Sequence, residues 1–411
     1  MVEVYRRPRS LVVPVHALLH GSIKAMAQLE QNLTLWAQQL GFVLVGFCRI
    51  QRLDNREDFF KQWLAEGRAG EMTWLEREPE RRLDPRILDA RLRSVISLAY
   101  PYPAPRPPLI DWPSELRGRI AAYALGPDYH DVVLRKARLI ADTLTAEMPE
   151  AVTRVYVDTG PVFEREWAAA ARLGWFGRNT NLINRYHGSY FFLAEILTNI
   201  EFDAPSEPYR EHCGSCRNCL QRCPTKALAN DFKIEPRLCI SYLTIEHRGP
   251  IPIKLRPQLG NWIFGCDICQ EVCPWNNDAT KAAAVNPDLA PSLAELMKLD
   301  DHLFRQRFGK TAVTRTKRRG LLRNAAVALG NSGNPAAIPL LKYTLEHEPE
   351  PLVRAHAAWA VGQFEGRIAR EALFWARAHE PDPMVKAEIE AAICSQSAAK
   401  VPSATPSCTT T

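Results

Sequence analysis

The order of hydrophobic and polar positions predicts helices and strands that alternate up to about residue 200. Leu29, Leu33, Trp36 and Leu40 recur at helical spacing, which predicts an amphipathic helix over residues 26–40. Further helices are predicted over residues 55–78, 128–147 and 164–173, the last with Pro161 in its first turn. Apolar runs bounded by turn residues predict strands over residues 42–50, 95–100, 120–124 and 152–157.

This alternation is typical of an α/β catalytic domain, which we assign to residues 26–205. We expect a mixed sheet with flanking helices and a ligand crevice at the ends of the strands.

The last third of the chain contains an internal repeat. Segment 347–353 recurs at 379–385, 32 positions later, and segment 325–330 recurs at 357–362 with the same offset. A repeat of this length that is rich in small and apolar helical residues predicts a HEAT-like helical solenoid over residues 286–394. Residues 395–411 contain few bulky apolar side chains, and we expect a disordered tail there.

Charge is distributed unevenly along the chain, although the net charge of +6 is modest for 411 residues. Residues 303–345 contain no Asp or Glu, and the segment is strongly basic. Four cations that open a helical repeat are candidate tRNA phosphate contacts: Lys317, Arg318, Arg319 and Arg323. The alternative is a solvated charged face without a ligand.

Eight of the eleven cysteines lie between residues 213 and 273 in a ferredoxin-like pattern, which defines a third module over residues 206–285. The first run reads C-x2-C-x2-C-x3-C-P. In two-cluster ferredoxins, the fourth cysteine of such a run crosses to the other [4Fe–4S] cluster. This rule assigns cluster one to Cys213, Cys216, Cys219 and Cys273, and cluster two to Cys223, Cys239, Cys266 and Cys269.

Two other interpretations of the cysteines remain open at this point. C-x2-C pairs also bind zinc, although zinc ribbons use separated pairs. A disulfide framework suits small secreted domains better than a chain of this length.

The N-terminal segment 1–25 is interpreted as a disordered extension. Arg6 and Arg7 precede an apolar stretch, as in twin-arginine export signals, but Pro14, His16 and His20 interrupt it. No apolar stretch approaches the length of a membrane span. We therefore expect a cytoplasmic protein, with monomer as the default state.

The combination of these modules resembles the epoxyqueuosine reductases, and the resemblance covers residues 27–390. The strings that carry it are Tyr156-Val-Asp158-Thr-Gly-Pro161, Gly174-Trp-Phe-Gly-Arg-Asn179, Gly188-Ser-Tyr-Phe-Phe-Leu193, Glu195-Ile-Leu-Thr198, Cys239-Ile-Ser-Tyr-Leu-Thr-Ile-Glu246, Asp128-Tyr129-His130 and Arg323-Asn324-Ala325. The resemblance implies reduction of the epoxide of epoxyqueuosine to queuosine at the wobble position of tRNA. It also implies a cobalamin fed by two [4Fe–4S] clusters and an electron donor that the sequence does not identify. The cobalamin rests on the resemblance alone, because Val133 replaces the glycine of the usual D-x-H-x-x-G string.

Epoxide opening needs a proton for the departing oxygen, and Asp158 is the candidate proton donor. It follows a predicted strand, and the resemblance places the donor there; the alternative is a carboxylate that only caps a turn. The resemblance also suggests cobalamin contacts at Arg82, Asp158, Asn179, Ser241, Cys266 and Cys269. Two other functions remain possible: a reductive dehalogenase acting on an organohalide, or an iron–sulfur electron carrier that docks a partner protein.

Overall fold

The computed structural model describes residues 23–103, 111–203, 207, 209–229, 231–276 and 286–398. The predictions for residues 1–22 and 399–411 lie outside these ranges. The first described helix begins at Ile23, and the last one ends at Ala398. The predicted extension and tail therefore each overlap a helix by a few residues.

The described strands and helices follow one another along the chain. The strands are β1 (Leu44–Arg49), β2 (Ser94–Pro101), β3 (Arg119–Ile120), β4 (Thr153–Tyr156), β5 (Trp175–Phe176), β6 (Leu182–Ile183), β7 (Phe191–Thr198) and β8 (Trp262–Phe264). The α-helices are α1 (Ile23–Gln39), α2 (Asp54–Ala65), α3 (Pro79–Leu83), α4 (Trp112–Glu115), α5 (Tyr129–Glu147), α6 (Glu164–Ala170), α7 (Asn218–Arg222), α8 (Ile240–Ile245), α9 (Ile268–Glu271), α10 (Leu293–Leu296), α11 (Asp301–Phe308), α12 (Lys317–Asn331), α13 (Ala337–His347), α14 (Pro351–Gly362), α15 (Arg367–His379) and α16 (Pro383–Ala398).

The central sheet has the strand order β1-β2-β7-β4, and every neighbouring pair in it is antiparallel. The parallel pairing in the described part of the chain is between β3 and β8, which form a separate two-stranded sheet. Residues 94–99 of β2 are buried because α1 and α5 pack on one face of the sheet and α6 packs on the other. The sheet and its flanking helices thus match the prediction, but its strands run antiparallel rather than doubly wound.

Three predicted elements differ in detail. The helix predicted over residues 55–78 is broken after α2, because Gly67 and Gly70 adopt positive φ angles of 65° and 57°. The strand predicted over residues 120–124 ends at Ile120 and continues as a 3₁₀ turn. The predicted position of Pro161 in a first helical turn is wrong, since α6 begins only at Glu164.

The C-terminal helices stack as the repeat predicted. Gly330 on α12 lies against α14, where an added Cβ would come within 2.8 Å of Ala360 Cα. Gly362 occupies the equivalent place 32 residues later, where an added Cβ would lie 2.7 Å from Ala392 Cβ. The repeat therefore conserves a close approach of helices that only glycine permits without displacement.

One hydrophobic core joins the cysteine-rich module to the helical repeat. It includes Ile240 and Leu243 of α8, Trp262 of β8, and Leu321 and Ala325 of α12. The two modules that the sequence separates at residue 285 are thus packed as one unit.

Helices that combine the length and the apolarity needed to cross a lipid bilayer are absent from the described ranges.

Candidate active site

Asp158 lies in the turn between β4 and α6, where the chain adopts a left-handed conformation with φ of 58°. Such a conformation is uncommon outside glycine, and strained residues cluster at functional sites. The backbone N–H of Asp158 donates to the Glu164 carboxyl at the start of α6. Its side chain remains 57% exposed, so the carboxylate is available to a ligand.

Two side chains from the first turn of α5 hold the Asp158 carboxylate. The Tyr129 hydroxyl donates to Asp158 Oδ2 at 2.6 Å, and His130 Nε2 lies 3.1 Å from the same oxygen. The other ring nitrogen of His130 lies 2.7 Å from Asp128 Oδ1, and Asp128 also caps the helix through the backbone N–H of His130. His130 therefore bridges two carboxylates, which is the arrangement of an imidazolium that donates through both nitrogens.

The charges of this group follow from those hydrogen bonds. Burial raises the pKa of Asp158, but the hydrogen bonds from His130 and Tyr129 outweigh it and hold the pKa below its usual value. Burial lowers the pKa of His130, but its bonds to Asp158 and Asp128 outweigh burial and raise it. Asp158 is therefore an anion at neutral pH, and the nearest proton is on His130.

An aromatic wall extends from Asp158 to the second cysteine run, and we define it as Tyr102, Phe192, Tyr129, Tyr123 and Phe264. Tyr129 stacks on Phe192 with ring centroids 4.2 Å apart and an angle of 3°, and Phe192 contacts Tyr102 at 4.6 Å. On the other side, Tyr123 contacts Tyr129 at 6.0 Å and Phe264 at 6.1 Å. Burial raises the pKa of Tyr102 and Tyr123 above the ordinary tyrosine value, so their hydroxyls stay neutral.

The wall ends at the loop that carries Cys266 and Cys269. Gln270 Nε2 donates to the Tyr102 hydroxyl at 3.4 Å, and the Asp267 carboxylate accepts from the Ala122 backbone N–H at 2.6 Å. The wall thus connects Asp158 to a cysteine-bearing loop across one cleft.

Arg82 and Arg315 line the opposite rim of this cleft. Arg82 is 9% exposed and donates weakly to the carbonyl oxygens of Gly160 and Trp74, each at 3.3 Å, while its Nε has no hydrogen-bond partner in the described structure. Arg315 stacks over Trp74 at 4.5 Å and pairs with Glu246 at 2.9 Å. Its charge also acts on Asp158 and Tyr129.

The structure brings the eight cysteines into the two groups that the motif suggested. Burial raises the pKa of Cys273 to about 11, and the neighbouring thiolates that raise it further are Cys213, Cys219 and Cys216. Burial likewise raises the pKa of Cys239, with Cys223 as its charged neighbour, and that of Cys266, with Cys269 and Cys239 as neighbours. Among the described residues, no three His, Cys, Asp or Glu side chains are arranged to hold a single metal ion.

Helix α8 presents Cys239, and α12 fixes that helix in place. The backbone N–H groups of Tyr242 and Ser241 point to the Cys239 thiol. At the other end of α8, Arg323 donates to the carbonyl oxygens of Leu243, His247 and Gly249 at 2.7–2.8 Å. Arg323 thus caps the carbonyl end of the helix that carries Cys239.

Two of the suggested cobalamin contacts lie beside the cysteines. Asn179 Nδ2 donates to the Cys269 carbonyl oxygen at 3.4 Å, so this residue supports the cysteine loop. Ser241 is half-buried in the first turn of α8. His247, which might have faced a ligand, instead pairs with Glu71 at 2.8 Å and accompanies the Pro250 carbonyl at 2.9 Å.

The structure corrects the prediction for the basic segment at two positions. Arg323 is fully buried and saturated by carbonyl oxygens, and Arg318 makes a two-bond ion pair with Glu348. Neither guanidinium is free to contact a phosphate. Lys317 is exposed and Arg319 is half-buried, and neither has an ion-pair partner in the part of the chain that the structure describes.

Sequence reasoning missed Glu164 and Glu195, which lie behind the Asp158 turn. Glu195 is fully buried in the middle of β7, and its carboxyl faces that of Glu164. The signal was present, because a carboxylate in the apolar strand FFLAEILT is unusual unless it has a specific partner.

Three family models match this chain. Residues 82–159 match the family described as epoxyqueuosine reductase QueG, DUF1730. Residues 212–276 match a 4Fe-4S double cluster binding domain, and residues 312–394 match HEAT repeats. The ferredoxin-like module and the helical repeat are thereby confirmed.

Curated relatives and solved structures agree with these matches. An epoxyqueuosine reductase of Pseudomonas aeruginosa is 37% identical over 343 residues, which cover 82% of this chain and 94% of the relative. One of Leadbetterella byssophila is 38% identical over 305 residues, which cover 73% and 98%. A crystal structure of epoxyqueuosine reductase with an epoxyqueuosine-modified tRNA-Tyr stem loop superimposes with a TM-score of 0.82 at 32% identity, over 90% of this chain and all of that one.

Proposed function

The chain belongs to the epoxyqueuosine reductase family, and we propose that it reduces epoxyqueuosine in tRNA to queuosine in the cleft beside Asp158. Family membership gives the reaction, and one observation favours this cleft as its place: the aromatic wall connects a proton-holding carboxylate to the cysteine-rich module. A dehalogenase or a simple electron carrier has no need of the tRNA substrate that the related structure contains. Because tRNA is the substrate, the cytoplasm is the compartment we infer.

The two cysteine groups are the proposed ligands of the two [4Fe–4S] clusters. One cluster is held by Cys213, Cys216, Cys219 and Cys273, and the other by Cys223, Cys239, Cys266 and Cys269. This assignment is supported by the matching double-cluster domain and by the mutual proximity of the thiols in each group. The second cluster would lie nearer the cleft, since Cys266 and Cys269 border the aromatic wall.

The cleft also fits a cobalamin, whose presence we propose from the residues that border it. The aromatic wall offers a flat apolar surface to a macrocycle, and the unpartnered Nε of the buried Arg82 fits a peripheral amide or phosphate oxygen. Asn179, Ser241 and the backbone at Cys266 and Cys269 lie along the same edge. When bound, cobalamin supplies a two-electron reductant, which clusters that transfer single electrons lack.

The protein's own contribution to the chemistry is proton delivery and orientation. Tyr129 and His130 fix Asp158 Oδ2 toward the cleft, and His130 holds a proton 3.1 Å from that oxygen. Asp158 can therefore pass a proton to the departing oxygen and recover one from His130. The aromatic wall excludes water from this exchange.

For tRNA we propose a basic rim formed by Arg248, Arg315, Lys317 and Arg319. Arg315 borders the cleft, and Arg248 donates to the Arg315 carbonyl oxygen at 2.8 Å. Lys317 and Arg319 continue this charge at the start of α12, so phosphates bound there would lie beside the opening of the active site.

An anaerobic conversion assay tests the function. The protein is purified with reconstituted clusters and cobalamin, reduced, and mixed with epoxyqueuosine-containing tRNA, and the nucleosides are identified by mass spectrometry. We expect queuosine with the wild type and none with Asp158→Asn, while the cluster absorbance of the variant is unchanged.

Asp142→Asn serves as the matched control, because Asp142 is exposed on α5 and far along the helix from His130. It should convert tRNA at the wild-type rate. Absence of queuosine from fully loaded wild-type protein would refute the proposed function, and full activity of Asp158→Asn would refute the role of that residue.

A further inference from the structure

A pair of carboxyl groups, Glu164 and Glu195, lies directly behind the Asp158 turn. Glu164 is the first residue of α6, and one of its oxygens accepts the Asp158 backbone N–H. Glu195 comes from the middle of β7, has no exposed surface, and accepts a hydrogen bond from Ser97 Oγ at 3.3 Å. The two carboxyl groups are in hydrogen-bond contact with each other.

This contact requires a proton. Glu195 Oε2 is buried and has no donor among the described residues, and its neighbour Glu164 is also an acceptor unless one of the two is protonated. Two carboxylates in contact away from water cannot both be ionised. Burial raises the pKa of Glu195 well above its ordinary value and, with the charge of Asp158, raises that of Glu164 to about 8.

The stoichiometry of the proposed reaction requires more protons than Asp158 and His130 alone hold. When an oxirane becomes an alkene, both of its carbon–oxygen bonds break and the oxygen leaves as water. The conversion consumes two electrons, which the proposed redox cofactors supply, and two protons. His130 holds one proton next to Asp158.

We propose that the Glu164–Glu195 pair is the store for the second proton, which reaches the departing oxygen through Asp158. The proposal rests on the proposed function. Asp158 accepts the proton as it gives up its own, so the net transfer runs from a weakly acidic carboxyl to a far more basic oxygen. A donor of this acidity suits proton transfer near neutral pH.

The charged surroundings of the pair are consistent with this role. Asp158 faces it from the catalytic turn, Arg165 acts on Glu164 from α6, and Glu164 acts on Arg82 of α3. The thiol of Cys48 faces Glu195 from β1 and is neutral, because burial raises its pKa to about 12. Arg165 is exposed, so neither cation neutralises the buried Glu195.

Infrared spectroscopy of the protein without substrate tests the proton directly. At pH 7 we expect a C=O stretch of a protonated carboxyl in the wild type that shifts in D₂O and disappears in Glu195→Gln. Gln keeps the shape of the side chain and its bond from Ser97, but it has no acidic proton. Glu166→Gln on the same helix should leave the band intact, because Glu166 pairs with Arg56 at 2.9 Å and lies outside the site. A wild-type spectrum without this band would overturn the proposal.

Single-turnover conversion by pre-reduced enzyme tests the use of the proton. The wild-type rate should fall as the pH rises through about 8, where Glu164 loses its proton. Glu195→Gln and Glu164→Gln should be slower by about tenfold to a hundredfold at pH 7, with unchanged tRNA affinity, and should lose that alkaline limb. Wild-type conversion together with unchanged rates and pH profiles in both variants would overturn the proton store alone. Failure of the wild type to convert would overturn the proposed function itself.

Discussion

Replacement of Arg323 by leucine distinguishes a structural role for this residue from a role in tRNA binding. The Arg323 guanidinium is fully buried, and burial lowers its pKa to about 9, so it still carries its charge at neutral pH. It has no carboxylate partner in the described structure. Its acceptors are the carbonyl oxygens of Leu243, His247 and Gly249 and the side-chain oxygen of Asn324.

The magnitude follows from the three carbonyl oxygens that Arg323→Leu leaves without a donor. Each unsatisfied buried acceptor costs about 1–3 kcal/mol, and partial relaxation limits the total to roughly 3–5 kcal/mol. At about 2 °C per kcal/mol for a chain of this size, the melting temperature should fall by about 6–10 °C. Because Arg323 caps the helix that begins after Cys239, iron should also be lost more readily from the proposed second cluster.

The assay compares thermal unfolding with tRNA binding at a temperature where the variant remains folded. Arg323→Leu should lower the melting temperature without changing tRNA affinity. Arg319→Leu, the same substitution one helical turn earlier at a half-buried position, should keep the melting temperature within about 1 °C. It should weaken tRNA binding and reduce the salt dependence by about one ion per phosphate contact. If Arg323→Leu kept the wild-type melting temperature and weakened tRNA binding instead, the structural role would be refuted.

Three further predictions test the cysteine groups, the charge on His130 and the repeat. Cys273→Ser should remove about half of the bound iron and sulfide in chemical analysis, whereas Cys394→Ser, at an exposed position, should retain all of it; full iron in Cys273→Ser would contradict its assignment. Since its hydrogen bonds to two aspartates outweigh burial and raise the pKa of His130, its charge should stabilise the fold below about pH 6.5, and this contribution should disappear as the pH rises through the raised value. His130→Gln should therefore lower the melting temperature at pH 6 and change it little at pH 9; an equal loss at both would count against the imidazolium. Gly330→Ala should destabilise the repeat by about 1–3 kcal/mol in denaturant unfolding, because the new Cβ would lie 2.8 Å from the backbone of α14, and a neutral result would show that the helices can separate.

The cysteine groups and Asp158 could be predicted from the sequence because their signals are local. Ligands to one cluster recur within a single short run, and Asp158 directly follows a strand. The direction of the strands could not be predicted, because an apolar run such as β2 has the same pattern in parallel and antiparallel sheets. The expected crevice at the ends of parallel strands is replaced by a cleft that the aromatic wall forms between the sheet and the cysteine-rich module.

The basic segment shows why charge along the sequence is a poor guide to charge in space. The absence of acids from residues 303–345 suggested that its cations were all free, yet Arg318 pairs with Glu348 and Arg315 pairs with Glu246. Arg323 finds its acceptors at residues 243–249, more than 70 positions earlier in the chain. Only the folded structure separates cations that hold the protein together from those available to RNA.

These contacts give the helical repeat a second role beside any contact with tRNA. Arg323 and Asn324 of α12 bind the carbonyl oxygens of α8 and β8, and Arg256 pairs with Glu388 of α16 at 2.6 Å while almost fully buried. The helix that presents Cys239 is therefore fixed by α12, and the same α12 begins with Lys317 and Arg319. A phosphate that bound at this end of α12 would be mechanically connected, through one rigid helix, to the cysteine ligand nearest the cleft. Substrate binding and cluster position thus share one structural element, which explains why the repeat and the cysteine-rich module have a single core.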